Sequence, residues 1–298
     1  MKVLIIGSEG FIGHSCVKYY QHKGWDVYGC DLTDYHTGNY DYTKISRLTP
    51  DFDTLFSQVE YDACINAAGN GSVPMSITHP VNDFDANCAD VIRILELIRQ
   101  KNSSCKYLHI SSAAVYGNPQ KMPIKEDSPL SPISPYGWHK LIAEKLCEEY
   151  SKLYNISIAI VRPFSVYGPG LRKQLLWDMF QKANSSSLVE LWGDGSETRD
   201  FIYIDDLLAA FYTILADIAN GCKIYNVAAG EETSVAKIAE IFYKQVSNIT
   251  YRFNGVVRPG DPKNWCADIT KLVGLGYKAS YTLEDGLKLT AEWLKRSG

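Results

Sequence analysis

One short segment constrains this chain more than any other: Gly7-Ser8-Glu9-Gly10-Phe11-Ile12-Gly13. It follows the apolar run Val3-Leu4-Ile5-Ile6 and opens a stretch over 11–23 with helical spacing. In G-x-x-G-x-x-G between strand and helix, the first glycine permits a tight turn. The second lets backbone amides approach a pyrophosphate, and the third lets helix and strand pack closely. The helix N-terminus then faces the phosphates. The next strand, predicted over Trp25 to Cys30, runs into Asp31. A carboxylate there accepts from both ribose hydroxyls and repels a 2′-phosphate. Leu32-Thr33-Asp34 contains no arginine to hold such a phosphate. The expected cofactor is NAD rather than NADP.

The first half goes on alternating. Strands are predicted at Ala63–Asn66, Tyr107–Ser111 and Ile156–Val161, and helices over 83–101 and 135–153. Such alternation implies an α/β fold, a Rossmann-type doubly wound parallel sheet covered on both faces. After Arg162-Pro163 the texture changes, with shorter segments near 171–183, 188–192, 232–247 and 256–258. The expected division is a dinucleotide-binding domain over 1–165, with about 198–228 returning to it. Residues 166–298 are expected to form mainly a smaller α/β substrate lobe. A chain of 298 residues, 46% hydrophobic and 21% charged, can bury such cores.

Net charge is −4 with lysine and arginine scattered, so neither nucleic acid nor a membrane surface is an expected partner. The opening apolar run is too short for a signal-peptide core, and no segment approaches bilayer-spanning length. Eight dispersed cysteines without C-x-x-C read as reduced thiols in a cytoplasmic protein. The six histidines lack ligand spacing, so no metal site is expected.

Tyr136 and Lys140 stand at i and i+4, on one face of the predicted helix. A nearby ammonium favours the phenolate, which would let Tyr136 take a proton from a sugar hydroxyl. Ser112, just past a predicted strand, can bond the reacting oxygen as it becomes a carbonyl.

With these motifs in hand, the chain resembles the extended short-chain dehydrogenase/reductases, in their NAD-dependent nucleotide-sugar epimerase/dehydratase branch. The resemblance spans essentially the full length. Its markers are GSEGFIG at 7–13, AAGNGSVPMSITHP at 67–80, SSAAVYG at 111–117, SPYGWHK at 134–140, RPFSVYGPG at 162–170, GDGSETRDFIYIDD at 193–206, NVAAG at 226–230 and RPGD at 258–261. It implies Ser112, Tyr136 and Lys140 as catalytic residues, with Lys140 also bonding the nicotinamide ribose. It implies cofactor contacts from Gly7, Glu9, Gly10, Phe11, Ile12, Gly13, Asp31, Ala67, Ala68, Asn87, Tyr136, Lys140 and Pro163. For the nucleotide-sugar substrate it implies Ser72, Val73, Ser112, Tyr136, Ser165, Arg199, Arg258 and Trp265, the two arginines holding the diphosphate. A homodimer through the helices 83–101 and 135–153 is likewise implied.

Dehydratases of this family carry an Asp-Glu pair directly after the catalytic hydroxyl residue, and related decarboxylases use a glutamate at the second position. Here Ala113 and Ala114 stand there. A methyl group is neither acid nor base, so epimerisation at C4 through a transient 4-keto sugar is the expected reaction. The alternatives are a reductase of a nucleotide-linked 4-keto-6-deoxysugar using NADH or NADPH, and a non-catalytic dinucleotide sensor. Ser165 replaces the asparagine of the family's R-x-x-N. Trp265 lies where sugar-pocket size is set and is expected to crowd an acetamido group.

Overall fold

The computed structural model describes residues 1–48, 50–185, 188–246, 249–256 and 263–297. The first half runs β1 (Lys2–Ile6), α1 (Phe11–His22), β2 (Asp26–Asp31), β3 (Asp41–Lys44), α2 (Asp53–Gln58) and β4 (Ala63–Asn66). Next come α3 (Val73–Thr78), α4 (Pro80–Phe84), a π-turn at Asp85–Ala89, α5 (Asp90–Lys101) and β5 (Lys106–Ile110). A 3₁₀ turn at Ala113–Tyr116, α6 (Pro135–Tyr154) and β6 (Ile158–Pro163) complete it. Seven parallel strands form one sheet in the order β3-β2-β1-β4-β5-β6, closed at the far edge by β11 (Cys222–Val227).

The alternation of β1 explains both faces of the sheet. Val3 and Ile5 enter one core with Cys16, Val17 and Tyr20 of α1 and with Phe211 and Ile214 of α8 (Ile204–Asp217). Leu4 and Ile6 enter the other, with Ile94 and Ile98 of α5 and Cys147 of α6. Side chains two apart share a face of a strand, so an all-apolar strand needs a helical layer on each side. Strand order reverses between β1 and β4, which opens a crevice at their carboxyl ends, the place where such sheets bind ligands.

The remaining elements are β7 (Ser165–Tyr167), α7 (Gln174–Ser185), β8 (Leu188–Leu191), β9 (Thr198–Arg199), β10 (Phe201–Tyr203), β12 (Thr233–Ser234), α9 (Val235–Val246), β13 (Thr250–Phe253), α10 (Thr270–Val273) and α11 (Leu283–Ser297). Three two-stranded pairings join them, β7 with β10, β9 with β12 and β8 with β13. Of the predicted segment 256–258, Val256 lies in no element and 257–258 fall outside the described residues. The eight cysteines are free thiols. Among the described residues no helix is long and apolar enough to cross a membrane.

Two local differences from the sequence pattern have physical reasons. Strand β3 was not predicted: it is a polar edge strand, Asp-Tyr-Thr-Lys, with no buried residue to give it a period. The helix expected over 83–101 begins at Pro80 and is interrupted by the π-turn. The Asn87 side-chain amide donates to the Asp83 carbonyl (3.1 Å), the oxygen that would take the Asn87 N–H in a regular helix. Single π-turns of this kind mark functional sites often.

Candidate active site

The glycine turn sits in the crevice between β1 and β4. A Cβ on Gly7 would stand 2.7 Å from the Ala68 nitrogen, and one on Gly13 would stand 1.9 Å from the Gly7 carbonyl oxygen. Strand end, turn and helix therefore touch backbone to backbone. Gly10 caps α1 without a side chain, and the first turn holds no acid. The leading N–H groups of α1 thus have no side-chain acceptor, a fit for a pyrophosphate. Phe11 and Ile12 are half-buried behind the turn. Asp31, at the end of β2, accepts from Glu9 N (2.9 Å) and Leu32 N (2.7 Å). It pins the turn, and each oxygen keeps lone-pair capacity for a ribose hydroxyl.

Glu9 turns its own carboxylate away from the turn, accepting from the Tyr40 hydroxyl (2.5 Å) and from Thr37 N (3.2 Å). Strand pairing sets Lys44 beside Asp31, and its ammonium is bonded by Asp34. On the β4 side, Ala67 N donates to Ile6 O (2.9 Å) and Ala68 N to Asn66 Oδ1 (3.1 Å). Asn87 is buried with Oδ1 unpartnered, and a Cβ on Gly69 would come within 2.5 Å of that oxygen. An orphaned buried acceptor beside the crevice fits a bound polar group. Pro163 ends β6, buried and paired with Val227.

The three expected catalytic side chains converge at the end of β5. Ser112 caps the 3₁₀ turn, its oxygen accepting from Ala114 N (3.1 Å), and its hydroxyl lies near enough to Tyr136 to favour the phenolate. Ser134 caps α6 by accepting from Gly137 N (3.2 Å), with Pro135 at the first position. That cap fixes Tyr136 in the first turn and Lys140 one turn on. The Lys140 ammonium donates to Ile110 O (2.9 Å) and lies 5.9 Å from the Tyr136 ring centre.

The electrostatics differ from the expectation that the ammonium lowers the phenol. Burial is the largest influence on Tyr136 and pushes it up; the Ser112 hydroxyl pulls it back and the Asp83 charge pushes it further up. Lys140 is itself drawn down to about 8 by burial. The ammonium is committed to a backbone carbonyl, and the influences on Tyr136 are burial, Ser112 and Asp83.

Around this centre, Ser72 caps α3 by accepting from Met75 N (3.3 Å), and half-buried Val73 follows. The Ser76 hydroxyl accepts from Tyr136 N (3.1 Å), joining α3 to α6. Ser165 N donates to Asp200 O (2.9 Å), and the Arg199 guanidinium lies 5.9 Å from the Trp265 ring centre. Trp265 donates from its indole to Gly117 O (3.1 Å) and packs edge-on to Phe164. Arg258 lies outside the described residues. Sequence reasoning missed the support beneath. Buried Arg162 grips Glu144 through two nitrogens (2.9 and 2.7 Å), and Glu144 accepts from Ser111 (2.5 Å). Asp83 and His139 also went unread, although each neighbours a residue that was singled out.

A glycine-rich turn in the crevice and a Ser–Tyr–Lys cluster at the end of β5 are matched, over residues 3–228, by the family model described as NAD dependent epimerase/dehydratase family. The chain belongs to the NAD-dependent epimerase/dehydratase family. Within this family it is 30% identical to a putative UDP-glucose 4-epimerase of Methanocaldococcus jannaschii over 99% of both chains. It is 29% identical to a UDP-glucuronate 4-epimerase of Thermodesulfobacterium geofontis, over 99% of this chain and 96% of that one. The crystal structure of UDP-glucuronic acid 4-epimerase from Bacillus cereus, in complex with UDP-glucuronic acid and NAD, superposes with a TM-score of 0.88 at 28% identity, over 99% of both chains. The α/β sheet is therefore the family fold along the full length.

Proposed function

We propose that the protein is an NAD-dependent epimerase that inverts C4 of a nucleotide-linked hexose. The observation that carries this is the convergence of Ser112, Tyr136 and Lys140 at the end of β5, beside the crevice, with only methyl side chains at Ala113 and Ala114. The 4-epimerase names of its relatives support it.

When bound, NAD supplies a hydride acceptor that becomes the donor on return. Gly7 and Gly13 let strand end, turn and helix close backbone to backbone, and Gly10 lets the pyrophosphate approach the leading amides of α1. Asp31 takes a ribose hydroxyl. Phe11, Ile12, Ala67, Ala68, Asn87 and Pro163 line its path, and Glu9 contributes through its backbone. Tyr136 withdraws the proton of the C4 hydroxyl and later restores it. Ser112 donates to the same oxygen while it is a carbonyl. Lys140 holds the nicotinamide ribose. Arg199 and Arg258 hold the diphosphate, and Ser72, Val73 and Ser165 the sugar. Trp265 narrows the pocket against an acetamido group.

The rest of the reading is of the same standing. Residues 1–165, with about 198–228, form the cofactor domain and 166–298 mainly the substrate lobe. The exposed apolar side chains Phe84, Ile92, Trp138 and Ile142 support a homodimer through α5 and α6. The free cysteines suit the cytoplasm.

A panel of nucleotide sugars incubated without added cofactor tests the proposal. Interconversion of C4 epimers is the expected result, slower for UDP-N-acetylglucosamine than for UDP-glucose, and lost in Tyr136→Phe. Turnover only of a 4-keto sugar with reduced cofactor would replace the epimerase by a reductase.

A further inference from the structure

Asp83 lies on α4, 1% exposed, and none of the chemistry above uses it. Its two carboxylate oxygens face different elements. Oδ1 accepts from Asn70 Nδ2 (2.7 Å), and Asn70 in turn bonds both Ser72 N (3.1 Å) and Ser72 O (3.3 Å) at the head of α3. Oδ2 bonds His139 Nδ1 (2.6 Å), on α6 between Tyr136 and Lys140. A carboxylate only accepts, so the proton of that bond sits on the imidazole. The main-chain oxygen of Asp83 takes Asn87 Nδ2, the amide that forms the π-turn. His139 is held further by Phe84 edge-on to its ring (5.4 Å between centres) and by the Cys88 thiol, which donates to its carbonyl (3.2 Å). Loop, π-turn and catalytic helix thus meet on one buried anion.

We propose that Asp83 is a positioning residue of the active site: its buried carboxylate ties the head of α3 to the helix that carries Tyr136 and Lys140, and brings a negative charge to them. This rests on Tyr136 being the acid–base group of the reading above. Two shifts agree. Burial acts most strongly on both Tyr136 and Lys140, and the Asp83 charge then pushes each upward. The other ionisable groups around them are muted. Cys88 and Cys147 are thiols pushed up by burial, and His109 on β5 is pushed far down. Glu144 is gripped by Arg162. His139, directly on Asp83, is the remaining partner.

The test is a spectrophotometric titration of the Tyr136 phenol, taken as the difference between each protein and its Tyr136→Phe counterpart. Asp83→Asn keeps a side chain able to bond Asn70 and His139 but removes the charge. Its Tyr136 is expected to titrate about one pH unit lower, with the acid limb of kcat moving the same way. Asn70→Ala cuts the loop tie and leaves the charge. It is expected to raise KM with the titration unmoved. If Asp83→Asn does not fold, Asp83→Ser is the second neutral variant, with the same expected shift. A Tyr136 titration that coincides in parent and neutral variant overturns the proposal. The titration needs no turnover, so absent epimerisation would refute the functional reading alone.

Discussion

Lys140 shows what a buried ammonium costs the fold that holds it. Its ammonium is drawn from 10.5 to about 8 by burial. Between those values the unfolded chain holds this proton and the folded chain sheds it, so stability rises with pH across that window. Below pH 8 the fold bears the whole cost of the buried charge. Lys140→Met is therefore expected to be more stable than the parent at pH 7, by about 1–2 kcal/mol, while losing activity. Urea unfolding at pH 7 and pH 10 checks it: the gap should close at the higher pH. Lys140 was legible from its spacing to Tyr136. Its altered ionisation was not, because burial beneath α6 is a property of packing.

At the scale of elements, Asp200 links segments far apart in the chain. It is fully buried between β9 and β10, and its carboxylate accepts from Ala229 N (2.9 Å), Gly230 N (3.1 Å) and Ala267 N (3.0 Å). It stitches the loop after β11 to the segment carrying Trp265. Burial pushes it up to about 7, and the amides pull it back. Asp200→Ala would leave these donors unsatisfied and is expected to cost about 3 kcal/mol, read as a lower urea midpoint at unchanged slope. A slope change instead would mean that the linked segments unfold on their own. Strands β1, β4, β5 and β6 were legible because each is a short apolar run. The polar edge strand β3 and the π-turn were not, since neither writes a period into the sequence.

Across the whole molecule, α5 and α6 carry exposed apolar side chains. Trp138 is 53% exposed and Ile142 38%, both on α6, beside Ile92 of α5. Exposed apolar side chains clustered on adjacent helices mark interaction surfaces. Under the proposed homodimer, Ile142→Arg is expected to halve the mass seen by light scattering at micromolar concentration and leave the circular dichroism spectrum unchanged. A parent protein that is monomeric under those conditions would remove the dimer.

The sequence by itself determined the glycine turn, the alternating strands of the first half and the candidacy of Ser112, Tyr136 and Lys140. These follow from local rules: a turn that only glycine fits, an apolar run of strand length, two side chains one helical turn apart. Tertiary structure alone decided that Ser112 comes near Tyr136, that Lys140 donates to Ile110 O, and that Arg162 grips Glu144 beneath them. It also brought Asp83 to His139 across 56 positions. Such pairs are set by how α4, α6, β5 and β6 pack. No local period encodes which buried charge will meet which partner, because that choice belongs to the closed core.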